Sequence, residues 1–159
     1  MMADVVDKAT RSRMMAGIKG KDTNPEIFLR KALFALGFRF RLHRPDIPGR
    51  PDIVLPKHRA LVLVHGCYWH GHQCRNFKWP VTNAQFWRDK IDANRRRDRE
   101  NLSAQRKAGW RIIIVWECAI RGSMKRAPTI DVVTLISRWI ATGRDYAVVD
   151  TRGLHIRGN

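Results

Sequence analysis

Hydrophobic positions along this chain follow two periods, and the switches between them mark the elements. Thr23 and Glu26 stand at capping-box spacing, with Pro25 tolerated in a first helical turn. Behind them Ile27, Phe28, Lys31, Leu33, Phe34 and Leu36 are carried by a predicted helix, its apolar residues at three- and four-residue steps, ended by Gly37 as its C-cap. Phe38-Arg39-Phe40-Arg41-Leu42 then alternates strictly, which predicts a half-buried strand. Pro45 to Pro51, with Gly49, reads as a turn leading to a second strand, Asp52-Ile53-Val54-Leu55, and Pro56 to Arg59 as a tight connection. Ala60 to Val64 is almost wholly apolar, so it is predicted as a central strand buried on both faces.

Asn83 can cap a long helix to about Ala108, with Phe86, Trp87, Lys90, Ile91 and Leu102 marking the packed side. Arg88, Arg95, Arg96, Arg97 and Arg99 fill much of the remainder as a solvated face, and Gly109 closes the helix. Trp110 to Trp116 is a second central strand, with Cys118 two residues past its end. Asp131 starts a helix in which Val132, Leu135, Ile136, Trp139 and Ile140 recur at helical spacing, and residues 144–159 read as a tail with a short strand at Tyr146 to Val149. This order predicts one α/β domain over residues 24–159, a central mixed sheet flanked by helices. Residues 1–23 form a basic arm, with Arg11, Arg13, Lys19 and Lys21 around Met14-Met15-Ala16.

Charge narrows the partner. Thirty-one Lys and Arg against 14 Asp and Glu leave a formal charge of +17, a field that favours a polyanion, nucleic acid first. No apolar run approaches the roughly 18 residues of a membrane span, and the N-terminus lacks a signal-peptide core, so the expected place is the cytosol. Three cysteines leave one over in any disulfide scheme, and reduced thiols suit metal ligation better.

The chemistry concentrates in Val64-His65-Gly66-Cys67-Tyr68-Trp69-His70-Gly71-His72-Gln73-Cys74. These eleven residues hold three of the six histidines and two of the three cysteines, immediately after an apolar strand. If the strands ending at Val64 and Trp116 are neighbours, Cys67, His72, Cys74 and Cys118 can converge as a tetrahedral, closed, structural zinc site. The alternative is cysteines used as small buried hydrophobes. Catalytic zinc is disfavoured, because no His-Glu-x-x-His is present. Asp52 opens a strand that pairs naturally with the one ending at Val64, which would bring a carboxylate near His65 and His70. A hard cation such as magnesium can use one carboxylate, a strand carbonyl and phosphate oxygens, while a histidine serves as general base. Taken singly, Asp52 reads as a turn or cap residue and His65 as a satisfied core imidazole; taken together, they point as much to the metal site.

Asp4 through Ala16, Gly49-Arg50-Pro51-Asp52, His65 through His70, Phe86-Trp87, Arg97-Asp98-Arg99, Gly109-Trp110-Arg111 and Val115-Trp116-Glu117-Cys118 together resemble the very short patch repair (Vsr) mismatch endonucleases. The resemblance covers nearly the whole chain and implies a restriction-endonuclease-like core. It implies a magnesium-dependent nick, with two ions, on the 5′ side of a thymine mispaired with guanine, the lesion left when 5-methylcytosine deaminates. By the same resemblance Asp52 ligates magnesium with the Val64 carbonyl, His70 is the general base, His65 and Asp98 hold metal-bound water or phosphate, and Glu26 reaches a metal-bound water. It also assigns Cys67, His72, Cys74 and Cys118 to structural zinc.

Tyr68, Trp69 and Trp87 resemble the family's wedge beside the mismatch, whose poor stacking makes the step cheaper to open. Arg11 and Arg13 of the arm, together with Lys90, are the expected basic contacts to DNA. Val64 stands where threonine is expected, a change that a main-chain ligand survives, and Tyr68 stands where phenylalanine is familiar. The Glu-x-Lys of the wider nuclease superfamily is missing; Leu63-Val64-His65 occupies its place. Expected partners are duplex DNA with a T:G mismatch, a MutL-type repair protein and a DNA polymerase for resynthesis, with the enzyme a monomer near the nucleoid. The competing classes are a non-catalytic, zinc-stabilised binder of distorted DNA and a restriction-type nuclease making double-strand breaks.

Overall fold

The computed structural model describes residues 7–18, 20–126 and 130–158 and holds one five-stranded sheet. Its strands are β1 (Ile53–Leu55), β2 (Ala60–His65), β3 (Arg111–Trp116), β4 (Tyr146–Asp150) and β5 (Gly153–Ile156), arranged in that order. β2, β3 and β4 run parallel, while β1 and β5 pair antiparallel at the two edges. The helices are α1 (Lys8–Ala16), α2 (Asn24–Ala35), α3 (Ala84–Lys107), α4 (Glu117–Ser123) and α5 (Val132–Thr142). Among the described residues no helix is long and apolar enough to cross a membrane. Asp4 and Lys19, named above for the arm, lie outside the described residues.

Two apolar layers explain why the central strands read as unbroken hydrophobic runs. Because successive side chains leave opposite faces of a strand, Ile113 and Val115 enter one layer and Ile112 and Ile114 the other. The first layer includes Leu29 and Leu33 of α2, Ile120 of α4, and Val132, Ile136 and Trp139 of α5. The second, thinner layer comprises Ile47, Val54, Leu61, Ile112, Ile114 and Val148, with Leu102 of α3 packed against it. Arg111 joins them structurally: its guanidinium donates to the carbonyls of Trp139 and Ile140, a cation placed at the C-terminal end of α5.

Caps set the starts of α2 and α5 where the sequence places them, but not that of α3. The Glu26 N–H donates to Thr23 Oγ1, and the Thr23 hydroxyl and the Asp22 N–H donate to the Glu26 carboxylate. Asp131 accepts from the Val133 and Thr134 N–H groups. Gly37, at φ +91°, ends α2 with Leu36 as the C-cap itself. Asn83 precedes α3 in a left-handed conformation and makes no side-chain cap bond.

Several expectations are corrected. Phe38 to Leu42 forms no strand; only Arg41 pairs, in a single antiparallel bridge with Val54. Its partner β1 is three residues long, and beyond the bridge the His43 N–H, from a backbone at φ +46°, donates to the Pro51 carbonyl one residue out of ladder register. Phe34, Leu36 and Lys31 are exposed, and Leu29 and Leu33 carry the core face of α2. Phe86 and Lys90 are exposed as well, leaving Ile91 as the fully buried apolar residue of α3. Residues 144–158 are no tail: β4 extends the parallel core of the sheet and β5 closes its edge. Cys118 lies in α4, a helix that begins directly at the end of β3.

This topology concentrates chemistry at one end of the sheet. Parallel pairing of Val64 with Val115 and His65 with Trp116 places the loop after β2 beside the start of α4. Antiparallel pairing of β1 with β2 returns Asp52, just before β1, to the same end.

Candidate active site and metal centre

Glu26, Asp52, Val64, His65, His70 and Asp98 line one cleft of about 780 Å³. Asp52 is held by the strand beside it, because its Oδ2 accepts the Val64 N–H at 2.7 Å. Burial pushes its carboxyl up to about 7, the Glu26 charge adds to the rise, and the Val64 N–H and Arg30 oppose it. Glu26, 4 % exposed, spends its oxygens on Arg30, Thr23 and the Asp22 N–H.

In the same cleft the His65 and His70 rings stack, centroids 4.0 Å apart and 6° from parallel. His70 Nδ1 lies 2.5 Å from Asp98 Oδ2. A proton on that nitrogen is donated to the carboxylate and leaves Nε2 with a free lone pair, the form a general base requires. Burial would raise Asp98, but the bond from His70 and the charges of His70, His65 and Arg97 outweigh it and hold the carboxyl below its ordinary range. Burial carries His65 down to about 3, helped by the neighbouring His70, so its imidazole is neutral at pH 7. Asp98 is thus brought directly to His70, a closer relation than the sequence indicated.

The second centre lies behind this pair. Cys67, His72, Cys74 and Cys118 bring their ligand atoms within 4.8 Å of one another, and all three cysteines are free thiols. Cys118 Sγ stands 3.6 Å from His72 Nδ1, which matches the sulfur–nitrogen edge of roughly 3.6 Å in a tetrahedron with one zinc–sulfur and one zinc–nitrogen bond. Burial lowers His72, which favours the neutral imidazole a metal needs. Three thiols and one imidazole, converging and unpaired by disulfides, therefore fit zinc. Trp116 lies between the centres: His72 stacks on it at 4.2 Å, and His65 meets it edge-on at 5.3 Å.

Tyr68, Trp69 and Trp87 form an aromatic cluster beside the cleft. Ring centroids lie 5.2 Å apart for Tyr68–Trp69, 5.5 Å for Tyr68–Trp87 and 5.9 Å for Trp69–Trp87. Trp87 belongs to neither core layer and packs instead against Tyr68, Trp69 and Phe86. Phe77 and Phe86 touch this cluster, and Trp79 continues it from Phe77 with Arg88 over its ring. Arg11 and Arg13 sit on α1, a helix with no buried side chain, and Lys90 is exposed one turn beyond Trp87.

Sequence reasoning missed the residues of α3 that reach the loop. Asn94 donates to the Trp69 carbonyl, and Arg95, expected in solvent, donates to those of His70 and Gly71. The signal was available: Asn94, Asp98, Asn101 and Gln105 recur at three- and four-residue steps, a polar stripe facing the cleft where an ordinary amphipathic helix would be apolar.

Residues 3–76 match the family described as DNA mismatch endonuclease Vsr. The chain is similar to the DNA mismatch endonuclease Vsr of Escherichia coli (strain K12), 44 % identical over 98 % of this chain and 99 % of that protein. It is also 44 % identical to the type II nicking enzyme V.XorIIP of Xanthomonas oryzae pv. oryzae, over 75 % of this chain and 88 % of the relative. A third relative, the type II nicking enzyme V.NmeAIP of Neisseria meningitidis serogroup A, is 42 % identical over 76 % of this chain and 86 % of its own.

Proposed function

Since this chain belongs to the DNA mismatch endonuclease Vsr family, we propose that it nicks one DNA strand on the 5′ side of the thymine in a T:G mismatch, with magnesium. The single observation that carries this reading is the one cleft lined by Asp52, bonded to the Val64 backbone, and by the His65–His70–Asp98 group. A partly buried carboxyl raised toward neutrality, with a second carboxylate adding to the rise, is a site a divalent cation would satisfy. Asp52 and the carbonyl of Val64 are the proposed ligands, with Glu26 behind them and two ions in all. Magnesium, when bound, supplies Lewis-acid stabilisation of charge developing on the phosphate.

The chain's own residues do the rest. His70, oriented through Nδ1 by Asp98, takes the proton of the attacking water at Nε2. His65 is neutral and stacked on His70, which fixes the ring plane and leaves an N–H available to phosphate oxygen. Zinc held by Cys67, His72, Cys74 and Cys118 keeps the loop closed. Tyr68, Trp69 and Trp87 replace stacking lost when the mismatched step opens, at about 1 to 3 kcal/mol per base. Arg11, Arg13 and Lys90 neutralise backbone phosphates, and α1 grips the far side of the duplex. The mixed sheet flanked by helices is the restriction-endonuclease-like core on which this site is built.

The test is an end-labelled duplex, T:G-mismatched or fully paired, incubated with magnesium or EDTA. Strand-specific cleavage of the mismatched duplex in magnesium alone is the expected result. Mismatch binding with no cut in any condition would leave a zinc-stabilised binder, and linearised plasmid would indicate a double-strand nuclease.

A further inference from the structure

Between the metal-ligating Cys67 and His72 stand four residues, and three of them are Tyr68, Trp69 and His70, the aromatic lip and the proposed base. Within the loop, backbone bonds use its N–H groups: His70 N–H donates to the Gly66 carbonyl, Gly71 N–H to Tyr68 and His72 N–H to Cys67. The carbonyls that follow need other donors, since a half-buried carbonyl left unpaired is costly. Helix α3 supplies them. Asn94 Nδ2 donates to the Trp69 carbonyl at 2.9 Å, Arg95 Nε to that of His70 at 3.3 Å, and Arg95 Nη2 to that of Gly71 at 2.5 Å. One turn further along the helix, Asp98 takes the His70 imidazole.

Gly71 makes the approach of Arg95 feasible. It bends at φ +61°, and a Cβ placed there would lie 2.6 to 2.8 Å from the Arg95 guanidinium. The guanidinium therefore occupies the space a side chain would take. Its planar fork serves two successive carbonyls, which an ammonium on a flexible stem does not reproduce. Asp92, 3.7 Å away on the preceding turn, balances part of its charge.

We propose that Arg95 is a positioning residue for the nicking reaction: it fixes the His70–Gly71 backbone so that the His70 imidazole stays stacked on His65 and bonded to Asp98. The role rests on the nicking function proposed above. It differs from the phosphate contact that an arginine on a basic helix would otherwise make.

Zinc-loaded full-length Arg95→Met and Arg95→Lys proteins test it by single-turnover nicking at saturating protein, beside mismatch affinity across a salt series. Arg95→Met is expected to slow the saturated nick roughly tenfold to a hundredfold, as an ångström-scale misplacement does. Affinity and its salt slope should stay close to the parent's, and Arg95→Lys should recover only part of the rate. Gly71→Ala, which keeps the arginine but fills its seat, should show the same rate defect with zinc content unchanged. An unchanged saturated rate would overturn the proposal. So would a loss confined to affinity, with a salt slope lower by about 0.9, the mark of one phosphate contact. If Arg95→Met loses zinc or fails to fold, Gly71→Ala decides, and a normal rate in that zinc-loaded variant overturns the role. A parent protein that never nicks would instead overturn the nicking function itself.

Discussion

Burial sets the proton chemistry of the cleft residue by residue, and it moves Asp52 and His65 in opposite directions. Asp52 is pushed from 3.8 up to about 7, so below 3.8 both folded and unfolded chains hold its proton and it contributes nothing to stability. Between 3.8 and about 7 the folded chain keeps a proton that the unfolded chain has lost, and folding becomes progressively less favourable as pH rises. Asp52→Asn should therefore raise the melting temperature in the absence of divalent cation, with a gap that opens above pH 4 and is complete near pH 7. A gap independent of pH would contradict that assignment. Magnesium must displace the same proton, so the nicking rate at limiting magnesium should climb through about pH 7, and saturating magnesium should move that limb to lower pH. The sequence disclosed Asp52, His65 and His70 because the first two stand at strand ends and the third in the loop that follows. It could not disclose that Asp98 bonds to His70 or that Arg95 leaves solvent for Gly71, since those contacts depend on which face α3 turns to the sheet.

Among the elements, those with chemical punctuation were readable. Thr23 and Asp131 cap α2 and α5 through their side chains, and the apolar runs of β2 and β3 could only be central strands. Alternation misled at Phe38 to Leu42, because a strand also needs a partner and β1 offers three residues. α4 and β5 are seven and four residues long, too short for a period to show. The convergence of Cys67, His72, Cys74 and Cys118 was legible only as a condition, that β2 and β3 be neighbours, and the parallel register meets it. At this scale the lip is testable. Trp69→Ala should lower the preference for mismatched over matched duplex by about 1 to 3 kcal/mol, and general DNA affinity by less, measured as a ratio of dissociation constants. Equal losses on both duplexes would remove the wedge role.

Over the whole molecule two features govern behaviour: a charge of +17 and a loop on which three thiols and one imidazole converge. Binding should weaken steeply with salt, about 0.9 in the logarithmic slope for each phosphate neutralised, and a shallow slope would show that the basic surface does not meet the duplex. Cys118→Ser should reduce bound zinc and lower the melting temperature, because a structural site contributes its binding free energy to folding. A native protein containing no zinc on metal analysis would end that part of the account. Phosphodiester cleavage should take place in the cleft that Asp52 shares with His65 and His70. Its most direct test is single-turnover nicking of a T:G-mismatched duplex by Asp52→Ala at concentrations where binding is shown to be saturated. The account predicts that the variant binds as the parent does and does not cut; cutting at the parent's rate would contradict it.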